Sequence, residues 1–262
     1  MKINQFLVGD AAKIMRDQIP NNFVDLTITS PPYDNMRSYK GFEFDYKGIF
    51  DQLFRVTKDG GVVVWIVGDS TKKGSESGSS FRQALYAKDI GFNLHDTMIY
   101  FKKGGLNSGS LKCYQQKFEY MFVFAKGKIK THNLIKDRKN IHTEPRVKRK
   151  RQKNGQYKEQ IVAIKEYGTR YNIWEYQTGK GHSTNDEVAF RHPAIFPDQL
   201  AKDHILSWST QGDTILDPMC GAGTTCKMAW LNQRGFIGID ISEDYINNIC
   251  VPRLNIYDWE QH

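Results

Sequence analysis

The chain has 262 residues, enough for one domain with an insertion or for two small domains at most, and its 39% hydrophobic content excludes a wholly disordered protein. Its 37 basic and 29 acidic residues give a formal charge of +8, which permits a polyanionic partner without requiring one. No apolar run approaches the roughly 18–20 residues that span a bilayer, and the four cysteines form no Cys-x-x-Cys pair, which argues against a disulfide framework or a zinc knuckle.

Apolar, β-branched runs alternate with helical segments along most of the chain. Buried strands are predicted at residues 23–29, 61–67, 214–217 and 235–240, with a later antiparallel pair at 97–101 and 118–124. Helices are predicted at 11–18, 46–56, 78–90 and 224–232. This alternation is typical of a doubly wound α/β fold with a mixed, mostly parallel sheet that is covered on both faces.

Residues 126–188 interrupt this alternation and are predicted to be an insertion between parts at 1–125 and 189–262. From Lys126 to Lys158, thirteen basic residues accompany two acidic ones, a local charge of +11. Such a run is most often a solvated, mobile loop; the alternative is an arm that neutralises nucleic-acid phosphates. The local pattern leaves both open. The candidate phosphate contacts at its centre are Arg146, Lys148, Arg149, Lys150 and Arg151.

A glycine-rich turn follows the predicted strand at 214–217. In Asp217-Pro218-Met219-Cys220-Gly221-Ala222-Gly223-Thr224-Thr225, two glycines allow close approach of a ligand, and two threonines can cap the next helix. Asp240, at the end of the following strand, can accept hydrogen bonds from ribose hydroxyls. The turn has neither the six-residue dinucleotide fingerprint nor the Gly-Lys-Ser/Thr of a triphosphate loop. S-adenosylmethionine therefore fits this turn better than NAD or ATP does.

A second turn, Ser30-Pro31-Pro32-Tyr33, follows the predicted strand at 23–29. Two prolines cannot continue a sheet ladder, so they fix an extended backbone whose carbonyls lack competing donors. Together with the Ser30 hydroxyl, a carbonyl can accept both hydrogens of an exocyclic amine, and Tyr33 can stack on a planar base. A rigid turn without chemistry is the plain alternative for a Pro-Pro pair seen alone.

These two motifs together resemble those of S-adenosylmethionine-dependent DNA methyltransferases that modify exocyclic amines. The order of catalytic motif, target-recognition region and cofactor motif is similar to the circularly permuted β class of that family. The resemblance implies catalytic roles for Ser30, Pro31, Pro32 and Tyr33, and a DNA contact by Arg37. It implies cofactor binding by Asp10, Ala11, Phe196, Pro197, Asp217, Pro218, Gly221, Gly223, Thr224, Thr225 and Asp240.

The permutation carries two structural expectations. The strand ending at Asp240 should lie beside an N-terminal strand at residues 6–9, and both motifs should border one cavity. Two side chains have open roles: Asp69 either borders that cavity or belongs to a plain turn, and Trp174 packs in the core or meets DNA. The histidines form no recognisable metal set, so no metal is assigned.

The target base is the least determined feature. In the family, Ser-Pro-Pro-Tyr goes mostly with cytosine N4 and Asp-Pro-Pro-Tyr mostly with adenine, so Ser30 favours cytosine. Rival functions are an adenine enzyme of the same fold, a methyltransferase for RNA or protein glutamine, and a non-enzymatic nucleic-acid-binding module. The resemblance implies double-stranded DNA as substrate, a cytoplasm of prokaryotic or phage type, and at family level a cognate restriction endonuclease and a homodimer.

Overall fold

The computed structural model describes residues 1–32, 44–104 and 114–255. Tyr33 and Arg37 therefore lie outside the described residues. The chain divides into two compact units: the larger joins Met1–Asn133 to Asn172–His262, and the smaller is Leu134–Tyr171. The smaller unit is shorter than the predicted insertion at 126–188, because both ends of that segment belong to the larger unit.

Fourteen strands are described. In chain order they are β1 (Gln5–Val8), β2 (Val24–Thr29), β3 (Thr57–Val67), β4 (Thr71–Lys72), β5 (Ser75–Glu76), β6 (Asn93–Lys103), β7 (Phe118–Ala125), β8 (Arg138–Lys139), β9 (Arg146–Arg151), β10 (Tyr157–Val162), β11 (Tyr167–Gly168), β12 (Ile173–Gln177), β13 (Thr214–Asp217) and β14 (Gly235–Asp240). Eight of them, in the order β1-β14-β13-β2-β3-β7-β6-β12, form the central sheet of the larger unit.

The described helices surround this sheet. They are α1 (Ala11–Gln18), α2 (Tyr46–Val56), α3 (Ser79–Asp89), α4 (Asp198–Trp208), α5 (Thr224–Leu231), α6 (Glu243–Tyr245) and α7 (Val251–Asn255), with a π-helical turn at Ile246–Cys250 between the last two and a 3-10 helix at Glu187–Arg191. No helix in the described part of the chain has both the length and the apolar character of a membrane span.

The two faces of the sheet follow from the alternation of side chains along each strand. On one face, Trp65 in β3 packs on Phe50 of α2, with 4.4 Å between ring centroids, in a core shared with α1 and α3. On the other face, Met121 in β7 contacts His204 of α4, Sδ to Nε2 at 3.2 Å. Helices therefore cover both faces, which confirms the predicted doubly wound architecture.

Within the described central sheet, β7 alone runs antiparallel to its neighbours. The carboxyl ends of the parallel strands consequently meet at one edge, where ligands of open α/β sheets bind. β1 pairs with β14, Val8 beside Asp240, so the adjacency expected from the permuted order is confirmed. The end of β1 near the N-terminus and the end of β14 near the C-terminus therefore lie at the same edge of the sheet.

Three of the elements that build the larger unit depart clearly from the sequence-based prediction. Strand β12 lies inside the predicted insertion but pairs with β6, and α4 is absent from the prediction. Strand β3 begins at Thr57 and not at residue 61, because Thr57 already pairs with Val24 of β2. Residues 58–61 form an irregularity before the pairing resumes at Val62. Asp59 and Gly60, which directly precede the predicted strand at 61–67, thus lie in a bulge within a longer strand.

The smaller unit contains two short antiparallel ladders. β8 pairs with β11, and the centre of the basic run forms β9, which pairs with β10 around the Asn154-Gly155 turn. Arg170 and Asp137 form an ion pair within this unit, and Arg138 lies over the Tyr171 ring at 4.8 Å. The centre of the basic run, Arg146–Arg151, is therefore a fully exposed hairpin strand and not an irregular loop.

Candidate active site

A cavity of about 830 Å³ opens at the carboxyl edge of the central sheet. Its lining includes the β1–α1 turn, the end of β2 and the turn after β13, which contribute Asp10, Ala11, Ser30, Pro31, Pro32, Pro218, Gly221, Thr224 and Asp240. The two motifs are far apart in the chain, yet they border one cavity as predicted. The volume lies within the roughly 300–1,000 Å³ of small-molecule sites.

The glycine turn is shaped by Gly221 and Asp240. Gly221 has φ +50°, and a Cβ there would lie 2.8 Å from Nε2 of His192, so a larger residue would collide with the cavity wall. The Gly221 N–H donates to one oxygen of Asp240 at 2.8 Å, and the Ser242 N–H donates to the other at 2.8 Å. Burial raises the pKa of Asp240. Asp240 therefore holds the glycine turn in place through these two hydrogen bonds.

This arrangement fits a nucleoside ligand. Each oxygen of Asp240 accepts one backbone N–H and has a further lone pair, so both can still accept from ribose hydroxyls. Asp10 caps α1 by accepting from the Lys13 N–H at 2.8 Å. The Gly9 N–H donates to the Asp240 carbonyl at 2.9 Å, which sets the β1–α1 turn beside Asp240. The residues present at this end of the cavity therefore fit S-adenosylmethionine in their donor and acceptor chemistry.

Four residues predicted to bind the cofactor do not line the cavity: Pro197, Asp217, Gly223 and Thr225. Asp217 is buried and accepts from the Met219 N–H at 3.2 Å, while the Thr225 hydroxyl donates to the Ile28 carbonyl at 3.2 Å. These contacts hold the glycine turn and tie α5 to the end of β2. The side chains of Asp217 and Thr225 therefore support the turn, because they point into the packed interior.

The buried carboxyl group of Asp217 should make the stability of the folded protein depend on pH. Burial raises the pKa of Asp217 to about 7 from its ordinary value of 3.8, so the folded chain binds this proton more tightly than the unfolded chain. The resulting contribution to stability is fully present below pH 4 and is lost as the pH rises through about 7. Asp217→Asn cannot titrate, so urea unfolding between pH 4 and 8 should show a flatter profile. Parallel profiles for both proteins would contradict this assignment.

The segment before α4 forms the facing wall of the cavity. Phe190, His192 and Phe196 line it, and His192 Nδ1 lies 2.8 Å from the Ala194 carbonyl. The His192 ring also packs edge-on against Tyr245, with centroids 4.6 Å apart. The predicted position of Phe196 in the cofactor cavity agrees with this geometry.

A buried charge network, absent from the sequence-based prediction, supports that wall. Lys227 Nζ lies 2.7 Å from Asp186 and 2.5 Å from Asp198, whose positions flank the wall segment. Arg253, whose side chain is fully buried, donates to both acids and to the Ala222 carbonyl at 2.5 Å. The network therefore links the wall to the glycine turn. No local sequence signal predicts it, since its members come from four separate segments.

The two open roles are resolved by the structure. Asp69 lines the cavity and also accepts hydrogen bonds from Ser77, Ser79 and Ser80 at the start of α3. Burial opposes its ionisation, but the serine hydrogen bonds outweigh burial and lower the pKa of Asp69. Trp174 is buried and packs on the His204 ring, with centroids 4.5 Å apart, so it belongs to the core.

A further part of the cavity lies at β6 and β7, and the sequence motifs do not predict it. Its lining includes Tyr100, Lys102, Phe118 and Glu119. Lys102 and Glu119 form an ion pair there. A strand lysine and a strand glutamate carry no motif signal, because only the pairing of β6 with β7 brings them together.

Comparison with known proteins assigns the family. A family model described as DNA methylase, for N6 and N4 methyltransferases, matches residues 24–250. The chain is 51% identical over 249 residues to the orphan methyltransferase M.BamHII of Bacillus amyloliquefaciens, covering 93% of each chain. It is 24% identical over 253 residues to the type II methyltransferase M.BglII of Bacillus subtilis, covering 94% of this chain and 67% of the relative.

Solved structures show the same fold. The cytosine-N4-specific PvuII DNA methyltransferase superposes with a TM-score of 0.67 at 18% identity, covering 98% of this chain and 92% of that chain. A DNA modification methylase of Thermus thermophilus, complexed with S-adenosyl-L-methionine, superposes with a TM-score of 0.65 at 19% identity, covering 97% and 94%. Together with the shared cavity of the two motifs, these matches show that the chain belongs to the family of S-adenosylmethionine-dependent DNA methyltransferases that act on exocyclic amines.

Proposed function

We propose that this protein transfers a methyl group from S-adenosylmethionine to the exocyclic N4 amine of cytosine in double-stranded DNA. The observation that carries the proposal is the single cavity lined by both Ser30-Pro31-Pro32 and the glycine turn at Gly221. A cofactor on the turn and an amine on the proline pair would be held side by side, and such positioning is the main source of rate in a direct transfer.

The chain's own groups act mainly by orienting the amine. When bound, S-adenosylmethionine supplies a methyl group activated by a sulfonium. The Ser30 hydroxyl and a backbone carbonyl of the proline pair accept the two amine hydrogens, which turns the nitrogen lone pair out of the ring. The N–CH₃ bond would form as the S–CH₃ bond breaks, S-adenosylhomocysteine would leave as a neutral thioether, and the methylated amine would lose one proton to solvent. Tyr33, outside the described residues, is proposed to stack on the base, which must first leave the duplex.

The choice of cytosine rests on Ser30, which takes the place that aspartate most often has in adenine enzymes of this family. The PvuII enzyme, whose fold this chain shares, is described as cytosine-N4-specific, and this supports the same choice. Adenine N6 is the second candidate, since a hydroxyl and a carboxylate oxygen can each accept from an amine. We also propose a homodimer and a cognate restriction endonuclease. Several relatives are type II methyltransferases, which favours the endonuclease, whereas M.BamHII is described as an orphan.

Methylation of plasmid DNA tests this function. The purified protein is incubated with unmethylated plasmid and S-adenosylmethionine, and the DNA is digested for mass analysis of its nucleosides and sequenced for modified bases. We expect N4-methylcytosine at one short recognition sequence. N6-methyladenine would select the second candidate, and a protein that binds S-adenosylmethionine in calorimetry but modifies no DNA would refute the proposed substrate.

We further propose that one face of the β9–β10 hairpin contacts the DNA backbone. The register pairs Lys150 with Lys158 and Lys148 with Gln160, so Arg146, Lys148, Lys150 and Lys158 share a face without an acidic residue. Arg149 and Arg151 lie on the other face, where Arg149 Nε is 2.7 Å from Glu159. The five predicted phosphate contacts therefore do not form one surface, and we assign the role to the first face.

Salt dependence distinguishes the two faces. Lys148→Gln combined with Lys150→Gln should weaken DNA binding and reduce the slope of log K against log salt by about 2, since each lost phosphate contact changes it by about 0.9. The matched control, Arg149→Gln with Arg151→Gln, removes the same charge from the other face and should change the slope by less than half as much. Equal changes in both variants would indicate that only the total positive charge of the hairpin matters, and would contradict the assignment to one face.

A further inference from the structure

One wall of the cavity is used by neither the cofactor turn nor the proline pair. It is built by β6 and β7, where the sheet register sets Tyr100 directly opposite Glu119. Lys102 lies two residues beyond Tyr100 and hence on the same face. All three line the cavity. The wall therefore presents a cation, an anion and an aromatic ring to whatever occupies the cavity beside Ser30.

The lysine in this wall is held in place. Its ammonium pairs with Glu119, whose side chain is 12% exposed, and it lies 5.6 Å from the centroid of the Tyr100 ring. Tyr100 is buried, and burial raises its pKa, so the ring stays neutral beneath the cation. The Lys102 side chain itself remains 36% exposed. An ammonium has three N–H donors, and one carboxylate cannot use all of them, so at least one donor remains for a ligand.

The distance between the proline pair and Lys102 is suited to a single base. Two strands, β3 and β7, separate β2 from β6, and neighbouring strands lie about 4.8 Å apart, which puts β6 roughly 14 Å from β2 along the edge. A pyrimidine held by its amine at Ser30, with one hydrogen bond of about 2.9 Å at each end, would reach an extended lysine side chain from β6. The cavity is continuous between the two groups.

The bases differ at the position that such a lysine would meet. Moving from the amine along the pairing edge, cytosine presents two acceptors, N3 and then O2. Adenine presents the acceptor N1 and then a carbon-bound hydrogen. A fixed donor therefore gains a partner on cytosine, whereas with adenine it is left facing a group that cannot accept.

We propose that Lys102, oriented by Glu119, donates a hydrogen bond to the acceptor edge of the flipped cytosine and is a specificity-determining residue for the target base. This inference rests on the proposed function and deepens it. The plain alternative is an ion pair that only stabilises the sheet. Lys103 and Glu175 provide the matched comparison, because they form a neighbouring ion pair in β6 and β12 that is about half exposed and does not line the cavity.

The test compares Lys102→Met with Lys103→Met. Duplexes carry the site found by plasmid sequencing, with either cytosine or adenine at the target position. Single-turnover rates on each base, cofactor affinity and thermal stability are measured for both variants and for the wild type. We expect Lys102→Met to lower the rate on cytosine at least 10-fold and the cytosine-to-adenine ratio at least 10-fold, with unchanged cofactor affinity. Lys103→Met should leave the rates, the base ratio and the cofactor affinity within about 2-fold of the wild type.

Different results would contradict the role of Lys102 and the proposed methylation of cytosine. If the wild type forms N6-methyladenine, the proposed function and the inference both fall. If it forms N4-methylcytosine and Lys102→Met leaves the base ratio unchanged, the inference alone falls. If Lys102→Met does not fold, Lys102→Arg and Lys102→Thr replace it: arginine keeps a long donor and should retain most of the discrimination, threonine is too short to reach the base and should lose it, and equal ratios in both variants would overturn the role of Lys102 as a donor.

Discussion

Asp240→Ala is expected to raise the dissociation constant for S-adenosylmethionine at least 100-fold. The variant removes both proposed acceptors for the ribose hydroxyls, and each hydrogen bond to a charged group contributes about 1.5–3 kcal/mol. It also removes the acceptors of the Gly221 and Ser242 N–H groups, which hold the turn in place. Since every 1.4 kcal/mol is a factor of ten in affinity, the two losses together exceed two orders of magnitude. Isothermal titration calorimetry with the cofactor measures this directly.

Two further variants make the result specific to this carboxylate. Asp240→Asn keeps one side-chain oxygen and should weaken binding only about 10-fold. Asp244→Ala removes an exposed carboxylate in α6 that pairs with Asn248, and it should bind the cofactor like the wild type. If Asp240→Ala retained wild-type affinity while folded, the ribose would have to bind elsewhere in the cavity.

Arg253→Met is expected to cause a large loss of stability in the larger unit. Removing one member of a buried charge network leaves its partners uncompensated, which costs about 3–5 kcal/mol. Here the partners are Asp186 and Asp198, together with the Ala222 carbonyl. For a chain of this size the melting temperature should fall by roughly 10 °C, measured by calorimetry or circular dichroism.

The control for this prediction is Lys103→Met, which breaks an ion pair whose two side chains are about half exposed. Exposed pairs contribute about 0–1 kcal/mol, so its melting temperature should change by only a few degrees. Arg253→Lys should lie between the two, because it keeps the charge but loses the planar fork that reaches the acids and the glycine turn together. Similar losses for Arg253→Met and Lys103→Met would contradict a network that is strengthened by burial.

The network also has a consequence for the site. Asp186 and Asp198 flank the wall that carries His192 and Phe196, while Arg253 reaches the glycine turn. An Arg253→Lys variant that folds should therefore lose cofactor affinity beyond what its stability loss explains. Equal cofactor affinity in Arg253→Lys and the wild type would confine the network to a stabilising role.

The sequence predicted those parts of the site that depend on local backbone shape. Gly221 needs a positive φ and space for the His192 ring, and a proline pair must end a strand, so both turns are visible as motifs. Asp217 and Thr225 belong to the same motif, yet they face the interior. A motif fixes residue types and spacing, but it does not say which side chain points at the ligand and which holds the turn.

The sequence by itself determined the alternation of strands and helices, the two turns and the concentration of positive charge between residues 126 and 158, because each follows from local propensity or composition. The tertiary structure alone decided that β12 joins the central sheet, that Lys102 and Glu119 meet in the cavity, and that the basic strand β9 has two unlike faces. These features depend on pairing and burial between distant segments. Their free energy is gained only when the whole sheet assembles, so no short stretch of residues encodes them.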